Sequence, residues 1–344
     1  MRVLITGGAG MVGSHAAEFY ASGGAEVVIL DNLMRSRLFG MDKKSVEYNW
    51  EYLGTLKGIT RIKGDIRNAD DVAEAIGSGV DALIHCAAQP GVGFSIMDPR
   101  EDFSINALGT FTVLEAMRTI SPKAAFVYCS TNKVYGEHVS QLPLIEEKMR
   151  YRFAEIDGIT EEMPIDGTGH TPYGVSKYAG ELYAQEYSYS YGMKCGIFRM
   201  SCTYGTRQFG FEDQGWIAHF IISAVLGRPV TIYGDGKQLR DILYVGDLVR
   251  AFDIFIKGPL RHGVFNIGGG RELTLSLLEL IGLLKEKTGR TLSYSLADWR
   301  PSDQKVYVSN LTKVRTALGW EPAISVSDGI DRLIEWVEKN KKIL

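Results

Sequence analysis

The stretch Met1-Arg-Val-Leu-Ile-Thr6, continued by Gly7-Gly-Ala-Gly10-Met-Val-Gly13, decides the fold. Its first six residues are typical of a short buried strand, and its glycines of a tight turn that opens a helix ending near Ser22. A second strand, Ala25 to Leu30, then ends on Asp31. A strand, a glycine turn, a helix, a strand and an acid in this order predict dinucleotide binding, the alternative being a plain glycine-rich turn.

Each part of this stretch has a physical role in holding a dinucleotide. Glycine is needed where the backbone turns sharply, passes close to a pyrophosphate, or packs the helix against the strand. The helix N-terminus then offers free N–H groups and a positive dipole end to the phosphates. Asp31 follows at the spacing where a carboxylate accepts hydrogen bonds from the adenosine ribose. The cofactor-binding residues predicted in this region are Gly7, Gly10, Met11, Val12, Gly13, Asp31 and Asn32.

The same acid bears on the choice between NAD and NADP. Asp31 would repel the 2′-phosphate of NADP, which favours NAD. Arg35 and Arg37 follow in the same loop and could in principle accept that phosphate. We predict NAD because the carboxylate is the first residue after the strand.

Strands and helices continue to alternate along the first 200 residues. Buried strands are predicted at Ile59–Ile66, Ala82–Ala88, Ala124–Cys129 and Lys194–Met200, with helices at Asn68–Ala75 and Pro99–Ile120. This order predicts an α/β fold, a Rossmann-type doubly wound parallel sheet with helices on both faces. Ligands gather at the carboxyl ends of such strands. The residues predicted to meet the cofactor there are Asp65, Ile66, Ala87, Ala88, Gln89 and Asn106, although Asn106 could instead be buried by its neighbours.

Tyr173-Gly-Val-Ser-Lys177 is the candidate acid/base motif, in a predicted helix from Pro172 to Tyr191. Residues four apart share a helix face, so the Lys177 charge can sit near the Tyr173 hydroxyl. A nearby cation lowers a tyrosine pKa from its usual value of about 10. The alternative is a surface pair. Thr131, at a predicted strand end, could bond a substrate oxygen beside Tyr173, or could simply cap the strand.

Composition indicates an ordinary globular protein. The 344 residues are 45% hydrophobic and 23% charged, with a net charge of −3 and no strong charge block, which argues against nucleic-acid or membrane-surface partners. No run is long and apolar enough to cross a bilayer, and we expect a cytoplasmic protein. The four cysteines have no metal-binding spacing, so no metal is predicted; Cys86, Cys129 and Cys195 lie in or beside apolar runs, typical of buried reduced thiols.

In the second half of the chain the regular alternation of predicted strands and helices ends. Three arginines in its predicted loops, Arg207, Arg240 and Arg300, match phosphate geometry and make a diphosphate-bearing substrate plausible, although each alone could be a solvated surface residue. Residues 137–169 are polar and long for a connection, which favours a functional loop or lid. The predicted domains are an NAD-binding domain at 1–200, to which 236–256 return, and a smaller mixed α/β substrate lobe at 201–235 and 257–344.

These motifs, in this order, resemble the extended short-chain dehydrogenase/reductase family over essentially the whole chain. Within that family the likeness is greatest to the nucleotide-sugar epimerases known as CDP-tyvelose (CDP-paratose) 2-epimerases. The segments that carry it are Ser130–Gly136, Arg207–Phe209, Asp213–Trp216, Gly236–Asp241 and Arg300–Gln304. One departure is Cys202-Thr-Tyr-Gly205, where many relatives have an asparagine before the Tyr-Gly pair; the tyvelose epimerases also lack it.

The resemblance implies an isomerase that epimerises a CDP-sugar at carbon 2 through a transient 2-keto sugar, with NAD tightly bound and recycled. The implied catalytic set is Thr131, Tyr173 and Lys177, of which the last two also bind the cofactor. The implied substrate contacts are Thr131, Asn132, Lys133, Arg207, Gln208, Arg240 and Arg300. A homodimer or homotetramer is usual in the family.

Two alternatives stay open at this point. One is a 4-epimerase, or another epimerase, of a UDP-, GDP- or CDP-hexose, and the other is a non-catalytic NAD-binding protein. The related 4,6-dehydratases carry an Asp-Glu pair after the threonine for the elimination protons. Asn132 and Lys133 stand there in this chain, so that elimination has lost its acid and base.

Overall fold

The computed structural model describes residues 1–40, 44–300 and 302–344. Its strands are β1 Arg2–Thr6, β2 Glu26–Asp31, β3 Ile59–Lys63, β4 Ala82–His85, β5 Ala125–Thr131, β6 Leu144–Glu146, β7 Tyr151–Phe153, β8 Lys194–Met200, β9 Cys202–Tyr204, β10 Val230–Tyr233, β11 Leu239–Tyr244, β12 His262–Ile267, β13 Thr274–Ser276, β14 Tyr294–Ala297 and β15 Val306–Tyr307. Pro301, within one of the segments that carry the resemblance, lies outside the described residues.

The helices include one π-helix and two 3₁₀ helices. The α-helices are α1 Met11–Ser22, α2 Arg35–Phe39, α3 Lys44–Gly54, α4 Ala69–Ile76, α5 Val92–Met97, α6 Pro99–Phe103, α7 Gly109–Ile120, α8 Thr171–Tyr191, α9 Trp216–Leu226, α10 Val245–Lys257, α11 Leu277–Thr288, α12 Thr312–Leu318 and α13 Val326–Lys339. The π-helix is Ser104–Leu108, and the 3₁₀ helices are Asn132–Gln141 and Lys341–Ile343. None of the helices in the described ranges is long and apolar enough to cross a membrane.

The predicted parallel sheet is confirmed. Seven strands lie in the order β12-β8-β5-β4-β1-β2-β3. β1 pairs in parallel with both β2 and β4, so Thr6 is in register with Leu30 on one side and His85 on the other. The strand order therefore reverses at β1, and the carboxyl ends of β1 and β4 mark the switch point where α/β folds bind ligands.

Continuous apolar runs explain why these strands occupy the middle of the sheet. Val3, Leu4 and Ile5 of β1 are fully buried, as both faces of a parallel strand covered by helices must be. On one face, Leu4 and Phe126 join a core that also contains side chains of α4 and α7. The rigid layer formed in this way fixes the strand ends.

The described chain forms two compact units. The first unit is Met1–Val134, Thr171–Arg199 and Val249–Phe265, and the second unit is Tyr135–His170, Met200–Leu248 and Asn266–Leu344. The sequence-based domains divide the chain differently: they place 135–170 and 236–248 with the first domain and 257–265 with the lobe. β12 explains the difference at 257–265, because this strand pairs with β8 at the edge of the seven-stranded sheet.

The second unit is mixed α/β. Its central strand β11 pairs in parallel with β9 and β15 and antiparallel with β13. β10 pairs with β14, and β6 with β7 as an antiparallel hairpin. The short strands were hard to predict because each is only two to six residues long.

Residues 137–169, for which the sequence favours a functional loop or lid, contain a hairpin anchored to other parts of the second unit. The hairpin β6–β7 carries Arg150, whose Nε and Nη2 donate to Glu279 at 2.6 Å each. The Tyr151 N–H donates to the Lys237 carbonyl at 2.9 Å, and the Ile159 N–H to the Val308 carbonyl at 2.7 Å. These partners are distant in sequence, so local polarity alone could not indicate that the segment is anchored.

We expect Arg150→Ala to loosen this segment. The change removes a half-buried bidentate ion pair, which should cost about 1–3 kcal/mol of unfolding free energy. Arg152→Ala is the matched control, since the Arg152–Glu147 pair is exposed and should contribute under about 1 kcal/mol. Denaturant unfolding and amide hydrogen exchange across β6–β7 measure both variants. Equal effects of the two changes would contradict the anchoring role of Arg150.

Candidate functional site

The glycine turn is packed too tightly for a side chain at Gly7 or Gly13. Gly7 has φ +68°, and a Cβ there would lie 2.6 Å from the Ala87 nitrogen. A Cβ on Gly13 would collide with the Gly7 carbonyl oxygen. α1 then begins at Met11 with no side-chain cap on Gly10 and no acid in its first turn. Backbone N–H groups and an uncompensated positive helix end therefore face this turn, which fits a pyrophosphate.

Asp31 is held rigidly at the end of β2. Its Oδ2 accepts from the Ala9 N–H at 2.9 Å and its Oδ1 from the Leu33 N–H at 2.8 Å. Burial raises the pKa of this carboxyl, while the two backbone hydrogen bonds lower it. Each carboxylate oxygen keeps a further lone pair, so the group can accept from ribose hydroxyls, and its charge disfavours a 2′-phosphate. The geometry fits NAD.

Asp65 is engaged within the protein. Asn32 Nδ2 donates to Asp65 Oδ2 at 2.9 Å, and Arg67 Nη2 donates to the same oxygen at 2.7 Å. Burial raises the pKa of Asp65, but the hydrogen bonds from Arg67 and Asn32 outweigh it and bring the pKa to about 2. Ile66, the next residue, is buried in the core. Asp65 and Asn32 thus brace the ends of β2 and β3 against each other.

Asn106 and Gln89 form a buried network rather than an open contact surface. The π-helix Ser104–Leu108 carries Asn106, whose Nδ2 donates to the Gln89 carbonyl at 3.0 Å, to Asp102 Oδ1 at 3.1 Å and to Ser176 Oγ at 3.1 Å. The Gln89 N–H donates back to Asn106 Oδ1 at 2.8 Å. Of the two possibilities for Asn106, the structure selects burial by its neighbours. The two residues link the segment after β4 to the π-helix, and their contact with a cofactor stays a prediction.

Tyr173 and Thr131 lie together in the first unit. Tyr173 lies in the first turn of α8 and is only 9% exposed. Burial raises the pKa of Tyr173 to about 12, and a hydrogen bond with the Thr131 side chain lowers it. The Thr131 hydroxyl also accepts from the Lys133 N–H at 3.2 Å. The Thr131 hydroxyl at the end of β5 and the Tyr173 hydroxyl on α8 therefore face one another. General acid/base catalysis on a bound hydroxyl requires such an arrangement.

Lys177 does not act on Tyr173 as the sequence predicted. Its ammonium lies 4.2 Å from the centre of the Tyr128 ring, and the side chain is 2% exposed. Burial lowers the pKa of Lys177 to about 8, while nearby acidic groups raise it. Thr131, not Lys177, is the group that lowers the Tyr173 pKa. The prediction of a Tyr173 pKa depressed by Lys177 is therefore wrong, because the ammonium turns toward β5.

A buried ion pair that the sequence analysis missed supports α8. Glu181, fully buried, accepts from Arg199 Nε at 3.1 and 3.2 Å and from Ser130 Oγ at 2.8 Å. It links α8 to β8 and to the strand end that bears Thr131. Helical spacing is the sequence signal for this residue. Glu181 follows Lys177 by one helical turn and therefore lies on the same face of α8.

The four cysteines are free thiols. Cys129 and Cys195 are buried as predicted, whereas Cys86 is partly exposed. The sulfur of Cys86, which directly follows β4, lies 3.6 Å from the sulfur of Cys129 on the neighbouring strand β5. The hydrogen bond between them and burial together raise the pKa of Cys86, which makes this thiol a poor nucleophile.

The predicted substrate residues divide between the units. Asn132 and Lys133, in the first unit, are both partly exposed beside Thr131. Arg207, in the second unit, is buried and has φ +57°, an uncommon conformation for a residue other than glycine. Gln208 Nε2 donates weakly to the Thr203 carbonyl at 3.4 Å, while its buried Oε1 accepts no hydrogen bond from the described residues.

The other two predicted substrate-binding arginines, both in the second unit, already have carboxylate partners. Arg240 Nη2 donates to Asp303 Oδ1 at 2.7 Å. Arg300 lies 3.9 Å over the Tyr233 ring and pairs with Asp213 at 2.9 Å. Each guanidinium is therefore held in a fixed orientation, and the structure shows these two as oriented cations rather than loose surface arginines.

Comparison with known proteins adds independent findings. The model of the NAD dependent epimerase/dehydratase family matches residues 3–268. The chain is 36% identical over 345 residues to the CDP-paratose 2-epimerase of Salmonella typhi, covering 98% of this chain and 99% of that protein.

Two solved structures extend the likeness. The UDP-glucose 4-epimerase of Thermotoga maritima with UDP-glucose has a TM-score of 0.82 at 28% identity, over 99% of this chain and 100% of that one. The UDP-glucuronic acid 4-epimerase of Bacillus cereus, in complex with UDP-glucuronic acid and NAD, has a TM-score of 0.82 at 26% identity, over the same 99% and 100%.

Proposed function

Because the chain belongs to the NAD dependent epimerase/dehydratase family, we propose that it epimerises a CDP-linked sugar at carbon 2, in the manner of CDP-paratose to CDP-tyvelose. The observation that carries the proposal is the buried Tyr173–Thr131 hydroxyl pair beside Asn132 and Lys133. The full-length 36% identity to a CDP-paratose 2-epimerase supports the choice of carbon and nucleotide.

NAD would be held by the glycine turn, the α1 N-terminus and Asp31. When bound, it supplies a hydride acceptor and donor for the sugar carbon and a positive charge that favours the Tyr173 phenolate. Lys177 would donate to the nicotinamide ribose, since its ammonium donates no hydrogen bond to the described residues. The reaction is redox-neutral, so we propose that the same cofactor stays bound from one turnover to the next.

Tyr173 carries the proton half of the reaction. As phenolate it takes the proton from the carbon-2 hydroxyl, and with the carbon-2 hydride passed to the acceptor that bound NAD would supply, a transient 2-keto sugar is left. After the keto sugar has turned its other face, Tyr173 returns the proton to the oxygen. Thr131 stabilises the phenolate through its hydrogen bond and holds the same sugar oxygen.

Asn132 and Lys133 limit the chemistry to epimerisation. Elimination of water from the oxidised sugar would need a base to remove a proton from one carbon and an acid to protonate the hydroxyl that leaves the next carbon. An amide cannot serve as either, and a lysine beside it is a cation at neutral pH. We propose that both instead contact the sugar hydroxyls.

The second unit would bind the nucleotide. Arg207, Gln208, Arg240 and Arg300 are proposed to contact the diphosphate and nucleoside, as planar guanidinium groups suit bidentate phosphate contacts. Asp303 and Asp213 keep two of these cations oriented. A substrate phosphate would bind the guanidinium N–H groups that the carboxylates of Asp303 and Asp213 leave available.

A 4-epimerase of a UDP-hexose is the second candidate. The observation in its favour is the likeness to the UDP-glucose 4-epimerase of Thermotoga maritima over nearly the whole chain. The catalytic residues would act in the same way, because only the carbon presented to them differs.

We also propose a homodimer or homotetramer. Apolar side chains of α7 and α8, among them Phe111, Leu182 and Tyr183, are exposed on the first unit. Clustered exposed apolar residues are typical of an interaction surface, and a second copy of the chain suits helices of this kind.

The experiment is a product assay without added cofactor. Purified protein is incubated separately with CDP-paratose and with UDP-glucose, and the products are separated by chromatography. We expect the tyvelose isomer from CDP-paratose and no galactose isomer from UDP-glucose. Conversion of UDP-glucose alone would contradict the proposal and favour the second candidate. Protein that carries NAD and converts neither would exclude both substrates.

A further inference from the structure

Asp102 is a buried carboxylate that the proposed reaction does not yet use. It is 1% exposed, on α6. Gln89 Nε2 donates to its Oδ1 at 2.8 Å and Asn106 Nδ2 to the same oxygen at 3.1 Å. Its Oδ2 is buried with no hydrogen-bond partner, and it forms no ion pair with a described residue. A buried charge of this kind is costly unless a positive charge balances it.

The network around Asp102 leads directly to α8. Asn106 Nδ2 donates to Ser176 Oγ at 3.1 Å, and Ser176 Oγ donates to the Tyr173 carbonyl at 3.1 Å. Ser176 lies next to Lys177 in the helix. The π-helix that carries Asn106 is the irregular turn that permits these contacts, as such turns often do at functional sites.

Lys177 is the cation that can balance Asp102. Five groups interact electrostatically with Lys177: Asp102, Glu181, Cys86, Cys129 and His85. Glu181 is already paired with Arg199, and burial lowers the His85 pKa to about 3, which keeps that ring uncharged. The hydrogen bond with Cys129 and burial raise the pKa of Cys86, which disfavours its thiolate. Asp102 is therefore the one carboxylate of this set without a guanidinium of its own.

We propose that Asp102 is a positioning residue whose buried carboxylate keeps Lys177 in its charged, cofactor-binding form. Burial lowers the pKa of Lys177 to about 8, so the ammonium would be lost as pH rises through that value. Removing the Asp102 charge must lower that pKa further, because the negative charge favours the protonated amine. The significance for catalysis rests on the proposed function, but the protonation itself can be measured without it.

The test measures the protonation of Lys177 directly. Only the neutral amine reacts with acetic anhydride, so mass spectrometry of the Lys177 peptide against pH gives the midpoint of its titration. We compare the native protein with Asp102→Asn, which removes the charge, and with Asp102→Glu, which restores it. Ser176→Ala is the matched control, because it breaks the network without removing the Asp102 carboxyl group. Asp102→Ser replaces Asp102→Asn if the latter does not fold.

We expect the midpoint to fall by about one pH unit in Asp102→Asn, a tenfold change, and to stay near the native value in Asp102→Glu and Ser176→Ala. An unchanged midpoint in Asp102→Asn would overturn the proposal, and so would an equal fall in Ser176→Ala. The basic limb of the pH profile for the epimerase should move with the midpoint. If the native protein epimerises nothing, the proposed function fails while the labelling result still decides the role of Asp102.

Discussion

Replacing Tyr173 by phenylalanine is expected to lower kcat by about 10²–10⁴-fold, the usual contribution of a positioned acid/base group. The ring keeps its place in α8, so the fold and the amount of bound NAD should not change. The loss should appear in kcat because phenylalanine cannot take the proton of the sugar hydroxyl. Steady-state kinetics with CDP-paratose and release of NAD by heat, quantified by absorbance, measure the two properties.

The same helix supplies the control. Tyr183 is exposed on α8, and Tyr183→Phe should leave both turnover and bound NAD unchanged. Thr131→Val removes the hydroxyl that lowers the Tyr173 pKa, so it should reduce kcat less than Tyr173→Phe does. Native turnover in Tyr173→Phe would show that another group moves the proton.

Replacing Glu181 by alanine is expected to lower the free energy of unfolding by about 3–5 kcal/mol, because it leaves the Arg199 guanidinium buried and unpaired. The change also frees Ser130, whose hydroxyl donates to Glu181 at 2.8 Å beside the catalytic Thr131. Turnover should therefore fall together with stability. Denaturant unfolding and steady-state kinetics on the same preparation measure the two losses.

Two comparisons isolate the ion pair from the loss of packing. Glu181→Leu combined with Arg199→Met removes both charges and should be far more stable than Glu181→Ala alone. Arg118→Ala breaks the exposed Arg118–Glu115 pair and should change the stability little. A small cost of Glu181→Ala, similar to that of Arg118→Ala, would contradict a buried ion pair that supports α8.

Local chemistry made the sheet and the glycine turn predictable. Apolar runs such as Val3–Ile5 have to be buried, and Gly7 and Gly13 have to be glycine because no Cβ fits. The Asn68 cap of α4 was predicted for the same reason, and its side chain accepts from the Asp70 N–H. Each of these features depends on neighbours that are close in sequence or on the pattern of one strand.

Features that depend on distant partners were not predictable in this way. Lys177 was expected near Tyr173 because they share a helix face, yet β5 brings the Tyr128 ring to its ammonium. The sequence did not indicate that Asp102 is buried, because its burial arises from the packing of α6 against α8. The anchoring of residues 137–169 depends on Glu279, more than a hundred residues away.

The most direct test of the central claim follows the hydrogen at carbon 2. CDP-paratose labelled with deuterium at that carbon is converted in ordinary water without added NAD, and the product is analysed by mass spectrometry. We predict that CDP-tyvelose forms and keeps the deuterium at carbon 2, because the hydrogen leaves and returns within one active site. Loss of the deuterium to solvent would contradict the account and would indicate removal of a proton from carbon 2 instead.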